Sequence, residues 1–222
     1  ALQNMVKNNF KRSLRNFTNM WRVFALNDEG GAVMCDYPEG CDKPIIPIPY
    51  CEECMTGFEY SFAGLLISEG FIAEGLDVVR AIRDRYDGEK RNPWNEIECG
   101  NNYARPMASF ALLPIFSGFE FNMPKKHMGF SPVLSGDFKC MWNLGCAWGD
   151  FIVTENKYRI TIADRSGGKN FMLNLCVGIT TSNPTKTFYS NTFTLKNYEL
   201  STGLASLSFH KQSNPQLKAD IY

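Results

Sequence analysis

The sequence predicts a two-part protein, mainly α in its N-terminal half and followed by a β-rich C-terminal region. Three observations carry this. Up to Gly118, apolar residues recur at the three- and four-residue spacing of a helix face. Beyond it the period shortens to two, and clusters of Gly, Pro, Asn and Asp punctuate both halves. The expected division is 1–120 and 121–222. With 44% hydrophobic and 14% aromatic residues, the chain can bury a sizeable core and does not read as disordered. The 23 basic and 23 acidic residues cancel, so the basic footprint that nucleic acid or an anionic membrane selects is missing, and no nucleic-acid partner is expected. No apolar run approaches the roughly 20 residues of a spanning helix. Leu2 to Phe17 carries too many Lys, Arg and Asn for a signal peptide's apolar core, and a start at Ala1 in mid-helix reads as a piece of something longer.

Taken in order, Leu2, Val6, Phe10, Leu14 and Phe17 mark a first amphipathic helix with a basic outer face. Asn27-Asp28-Glu29-Gly30-Gly31 is a turn between Arg22–Leu26 and Ala32–Cys35, suggesting a short hairpin. Residues 36–50, with four Pro, are a loop. Phe58, Phe62, Leu65 and Leu66 define a second helix, with Gly70 as its cap. Ile72–Tyr86 is a third, with Leu76, Val79 and Ile82 inward and Arg80–Asp84 and Arg83–Asp87 pairs outward. Tyr103–Phe116 is the next helix, with Pro106 in its first turn. The β-type runs are Asp137–Trp142, Phe151–Thr154, Tyr158–Ala163, Phe171–Val177 and Phe188–Thr194.

The chemistry concentrates in one stretch, Arg91-Asn92-Pro93-Trp94-Asn95-Glu96-Ile97-Glu98-Cys99-Gly100-Asn101-Asn102-Tyr103-Ala104-Arg105. If residues 95–98 are extended, Glu96 and Glu98 project to one side and form a polar wall of acids, amides and guanidinium. Such a wall is either a structural ion-pair network, with Arg105 neutralising a carboxylate, or a polyol site. In the second case carboxylates accept from hydroxyls, Arg and Asn donate, and an aromatic ring offers a flat face. Core packing is the default for Trp94, Trp142 and Trp148. Eight cysteines are scattered through the chain. Cys51-Glu52-Glu53-Cys54 has the spacing of a redox or metal pair, but the four convergent ligands of structural zinc are not evident, so neither a metal nor another cofactor is expected. His127 and His210 stand outside every motif.

Asn95-Glu96-Ile97-Glu98-Cys99-Gly100 with Tyr103-Ala104-Arg105 and Met107-Ala108-Ser109 resembles the C-terminal catalytic region of glycoside hydrolase family 116, the non-lysosomal glucosylceramidases and microbial β-glucosidases. Glu53-Cys54-Met55-Thr56-Gly57-Phe58-Glu59-Tyr60 is similar to that family's Glu-x-x-Thr-Gly segment, and Arg83-Asp84-Arg85-Tyr86-Asp87-Gly88 is a third match in the same order. The resemblance implies that residues 1–120 are the last helices of an (α/α)6 barrel whose other helices lie upstream. It implies a retaining β-glycosidase acting on a carbohydrate or glycoside substrate, with the nucleophilic Glu and the Asp acid/base also upstream. No catalytic residue is therefore assigned in this chain. Glu96 and Arg105 would bind the 4- and 6-hydroxyls in the −1 subsite, Glu53 would reach the sugar from the neighbouring loop, and Thr56 would orient Glu53 or cap its helix. Many relatives carry Trp where this chain has Met55, and a Met offers a sugar no flat face. The competing readings are a non-catalytic carbohydrate-binding protein and a structural module derived from the same fold.

Overall fold

A computed structural model describes residues 1–16, 25–37, 39–46, 48, 50–92, 94–96, 102–122, 124, 127–145, 147–154, 157–164, 174–177 and 204–210, with backbone alone at 127, 147, 157, 158, 162–164, 174–177 and 204–210. The chain forms two compact units, Ala1–Leu112 and Leu113–Tyr222.

In the first unit, helices α1 (Leu2–Asn9), α2 (Thr56–Ser68) and α3 (Ile72–Arg85) are joined by a 3-10 helix, Arg105–Ala111. Two short strands, β1 (Phe10–Lys11) and β2 (Gly31–Ala32), pair antiparallel. The scaffold is the α2–α3 hairpin. Gly70 turns the chain at φ +88°, a backbone region that favours glycine. Its N–H donates to the Ile67 carbonyl at 3.1 Å and the Phe71 N–H to that of Leu66 at 2.8 Å, the paired bonds of a Schellman cap. Tyr60, Ala63 and Leu66 then pack against Val78, Ile82 and Tyr86. Gly75 permits the close approach: a Cβ there would stand 2.6 Å from Ile67 Cγ1 and 2.9 Å from the Ala63 carbonyl oxygen.

Several elements depart from the sequence reading. The first helix ends at Asn9, because Phe10 turns extended (φ −81°, ψ 114°) and joins β1. The first arm of the hairpin expected between Arg22–Leu26 and Ala32–Cys35 falls largely on residues 22–24, outside those described, and Gly31–Ala32 pairs with Phe10–Lys11. The inward stripe of α3 is Gly75, Val78, Ile82 and Arg85, while Leu76 is 38% exposed. Arg80 reaches back to Asp77 at 3.1 Å. The helix expected over 103–116 is the 3-10 helix running into α4 (Leu112–Ser117); Pro106 is harmless in the first turn, but Pro114 has no amide hydrogen to donate to Phe110 in a continuous α ladder.

The second unit carries two small sheets. In the first, β3 (Glu120–Asn122), β4 (His127–Phe130) and β8 (Asn174–Val177) lie side by side, β4 and β8 in parallel. In the second, β5 (Phe138–Asn143), β6 (Ala147–Val153), β7 (Lys157–Asp164) and β9 (Leu204–His210) are all antiparallel. Alternation along β5 buries Cys140 and Trp142 and exposes Lys139 and Met141. The rings of Phe119, Phe130, Trp142 and Phe151 stack into its core, Phe130 and Phe151 at 4.2 Å. The expected run Phe188–Thr194 lies outside the described residues.

Candidate functional site

The site is built at the start of α2. Its N-cap, Met55, is extended and has no side-chain acceptor for the orphan amides of the first turn. The chain supplies one from 40 residues downstream: the Thr56 hydroxyl donates to the Glu96 carboxylate, and the Thr56 backbone N–H also favours its charge. A tight loop presents Glu96. The Trp94 N–H donates to Asn92 Oδ1 at 2.9 Å, the Glu96 N–H to the Trp94 carbonyl at 2.9 Å and the Tyr103 N–H to the same carbonyl at 3.0 Å. Arg105 opens the 3-10 helix against Gly57, where a Cβ would stand 3.1 Å from that of Arg105. Its guanidinium lies over the Tyr103 ring at 4.7 Å and the Phe58 ring at 5.4 Å.

Glu96 is 1% exposed. Its carboxyl is pushed up to about 7, first by burial and then by the neighbouring Glu59 charge; the Thr56 N–H, Arg105 and Arg85 pull the other way. Glu59, also buried, meets Arg85 in a two-pronged ion pair, with Arg85 Nη1 3.1 Å from Glu59 Oε1 and Nη2 on Oε2. The Ala32 N–H donates to Glu59 Oε1 at 2.9 Å and Arg85 Nη1 to the Gly30 carbonyl at 2.7 Å. Burial, the largest single influence, would lower Arg85, but the Glu59 charge and hydrogen bond together with the neighbouring Cys54 and Tyr86 outweigh it, and the guanidinium is held more firmly protonated. The Tyr86 hydroxyl donates to the Asn95 carbonyl at 3.3 Å and is pushed up by burial and by Glu96. The motif loop is thus fastened to both helices of the hairpin.

Of the four residues singled out in sequence, Thr56, Glu96 and Arg105 come together from three segments. Glu53 is buried three residues before Thr56; its carboxylate accepts the Cys54 N–H at 3.0 Å and its carbonyl the Met34 N–H at 3.1 Å. Glu98 lies outside the described residues. Met55 is buried and offers no surface. Trp94 departs from the core-packing default: it is 58% exposed and borders, with Asn92, Asn102 and Ala104, an open cavity of about 470 Å³. Trp148 is half-exposed and Trp142 is buried.

Sequence reasoning missed the Glu59–Arg85 pair, although its signal was present. Arg85 follows Val78 and Ile82 by seven and three positions, on the inward stripe of α3, and a charge there requires a buried partner. Among the described residues, no three His, Cys, Asp or Glu side chains could jointly hold a metal ion, and no helix is long and apolar enough to cross a membrane. Comparison with protein-family models and with curated proteins gives no match for the chain.

Proposed function

We propose that this chain is the C-terminal segment of a retaining β-glycosidase of the family 116 type, in which the Asn92–Arg105 loop and the start of α2 form the sugar-binding wall of the −1 subsite. The observation that carries this reading is the convergence of Thr56, Glu96 and Arg105 next to an exposed Trp94 flanked by two amides. A sugar ring needs a flat apolar face and hydrogen-bonding groups at its rim, and Trp94, Asn92 and Asn102 supply these. Glu96 and Arg105 are the proposed contacts to the 4- and 6-hydroxyls, with Glu53 reaching the sugar from its loop. The nucleophile and acid/base belong to the rest of the barrel.

A second reading, a structural carboxylate network on a non-catalytic protein, draws on the near-complete burial of Thr56 and Glu96. Hydrolysis of an aryl β-glucoside by the longest natural chain containing this segment separates the two. The glycosidase reading expects Glu96→Gln and Arg105→Ala each to lower kcat/KM by at least about 10²-fold, roughly 2.7 kcal/mol of transition-state binding, with the fold intact. Unchanged activity in both variants would return these residues to a structural network. An inactive wild type that still binds glucosides would favour a carbohydrate-binding protein.

A further inference from the structure

We propose that Cys35 and Cys51 form a reversible disulfide that staples the loop between them beside the start of α2. The inference rests on backbone geometry and is independent of the glycosidase reading. The Cys35 N–H donates to the Cys51 carbonyl at 2.5 Å, and the adjacent Met34 N–H donates to that of Glu53 at 3.1 Å. These two bonds hold residues 34–35 against 51–53. Even with every bond laid in a straight line, standard lengths keep the two Cα atoms within about 6.7 Å, inside the roughly 4.4–6.8 Å that disulfides span.

Tyr37, two residues beyond Cys35, is pushed up first by burial and then by the neighbouring Cys51 and Cys35. Cys54, the partner that the Cys-x-x-Cys spacing suggests, turns elsewhere: its sulfur is 2.7 Å from where a Gly31 Cβ would stand, and it packs with Leu14, Ala25 and Val33. Cys35 is exposed and Cys51 buried, which sets the order of events. The Cys35 thiolate attacks a low-molecular-weight disulfide such as oxidised glutathione and releases one glutathione thiol. Cys51 then attacks the Cys35 sulfur of the mixed disulfide and releases the second. Two protein thiols are oxidised to one disulfide, one glutathione disulfide is reduced to two thiols, and the two protons pass to the glutathione thiolates.

The closed loop carries Ile45, Ile46 and Ile48 in the open, Ile45 fully so, and ends five residues before Thr56. The test incubates the intact, natively folded chain with oxidised glutathione, alkylates the remaining thiols and maps the unreduced digest by mass spectrometry. The expected result is a Cys35–Cys51 peptide pair that dithiothreitol abolishes and Cys35→Ser prevents. Closing a loop of this length should raise Tm on the order of 5–10 °C, reversibly. In Cys51→Ala the reaction should stop with glutathione on Cys35. Alkylation of both cysteines after incubation, arrest at glutathionylated Cys35 in the wild type, or a bridge to Cys54 or Cys41 would each overturn the assignment.

Discussion

Glu59 and Glu96 are equally hidden, each 1% exposed, and are met by different partners. Glu59, in the first turns of α2, receives a two-pronged guanidinium and a backbone N–H. Glu96, on the loop that returns to the same helix, receives a hydroxyl and the helix start, with Arg105 and Arg85 acting through space. Burial is common to both; compensation is not. A buried carboxylate forked by Arg85 fixes the hairpin. One held by neutral donors beside another carboxylate sits where its proton comes and goes near neutral pH, and such a group marks a candidate functional site.

The largest effect should come from breaking the compensated pair. Glu59→Gln leaves the Arg85 charge buried without its counter-ion and should cost about 3–5 kcal/mol in denaturant unfolding. Replacing both residues by apolar ones of similar volume, Glu59→Leu with Arg85→Met, should restore most of that loss. A double variant as weak as Glu59→Gln alone would show that the pair itself, rather than the stranded charge, sets the stability.

The second test concerns pH. The Glu96 carboxyl is raised from 4.5 to about 7 in the folded chain, so its contribution is fully present below pH 4.5 and is lost as pH rises through 7. The difference amounts to about 3 kcal/mol. Glu96→Gln keeps an acceptor for the Thr56 hydroxyl and removes the titration, so the variant should lose that slope between pH 4.5 and 7. An unchanged slope would assign it to other groups.

Smaller effects follow at the margins. Gly31→Ala places a Cβ 2.6 Å from Arg85 Nη1, 2.7 Å from Cys54 Sγ and 2.9 Å from Glu59 Oε1, and should destabilise by about 1–3 kcal/mol by crowding the compensated pair and Cys54. Trp94→Ala, at an exposed loop, should leave stability within about 0.5 kcal/mol while weakening glucoside binding measured by calorimetry. Equal losses of both would make Trp94 a packing residue.

How much of this was legible in the chain differs by element. The α2–α3 hairpin was readable, because its apolar spacing, Gly70 and a three-residue connection all act locally. The first helix was overread, since the competition from β1–β2 pairing comes from 20 residues away and leaves no local mark. Pro106 was legible as a first-turn residue, yet Pro114 should have shortened the α-helix drawn over 103–116. In the site, the motif stretch announced its chemistry, but the meeting of Glu96 with Thr56 across 40 residues is tertiary. Arg85 was hidden by its own type: charged residues on helices are read as surface, and only its register on the apolar stripe says otherwise.

The central contrast between the two carboxylates is tested most directly by carbon-detected NMR titration of the glutamate side chains, with Glu96→Gln and Glu59→Gln spectra to assign them. The account predicts a Glu96 midpoint near 7, falling toward the ordinary carboxylate range when Glu59→Gln removes the neighbouring charge. A Glu96 midpoint near 4.5 in the wild-type chain would contradict it.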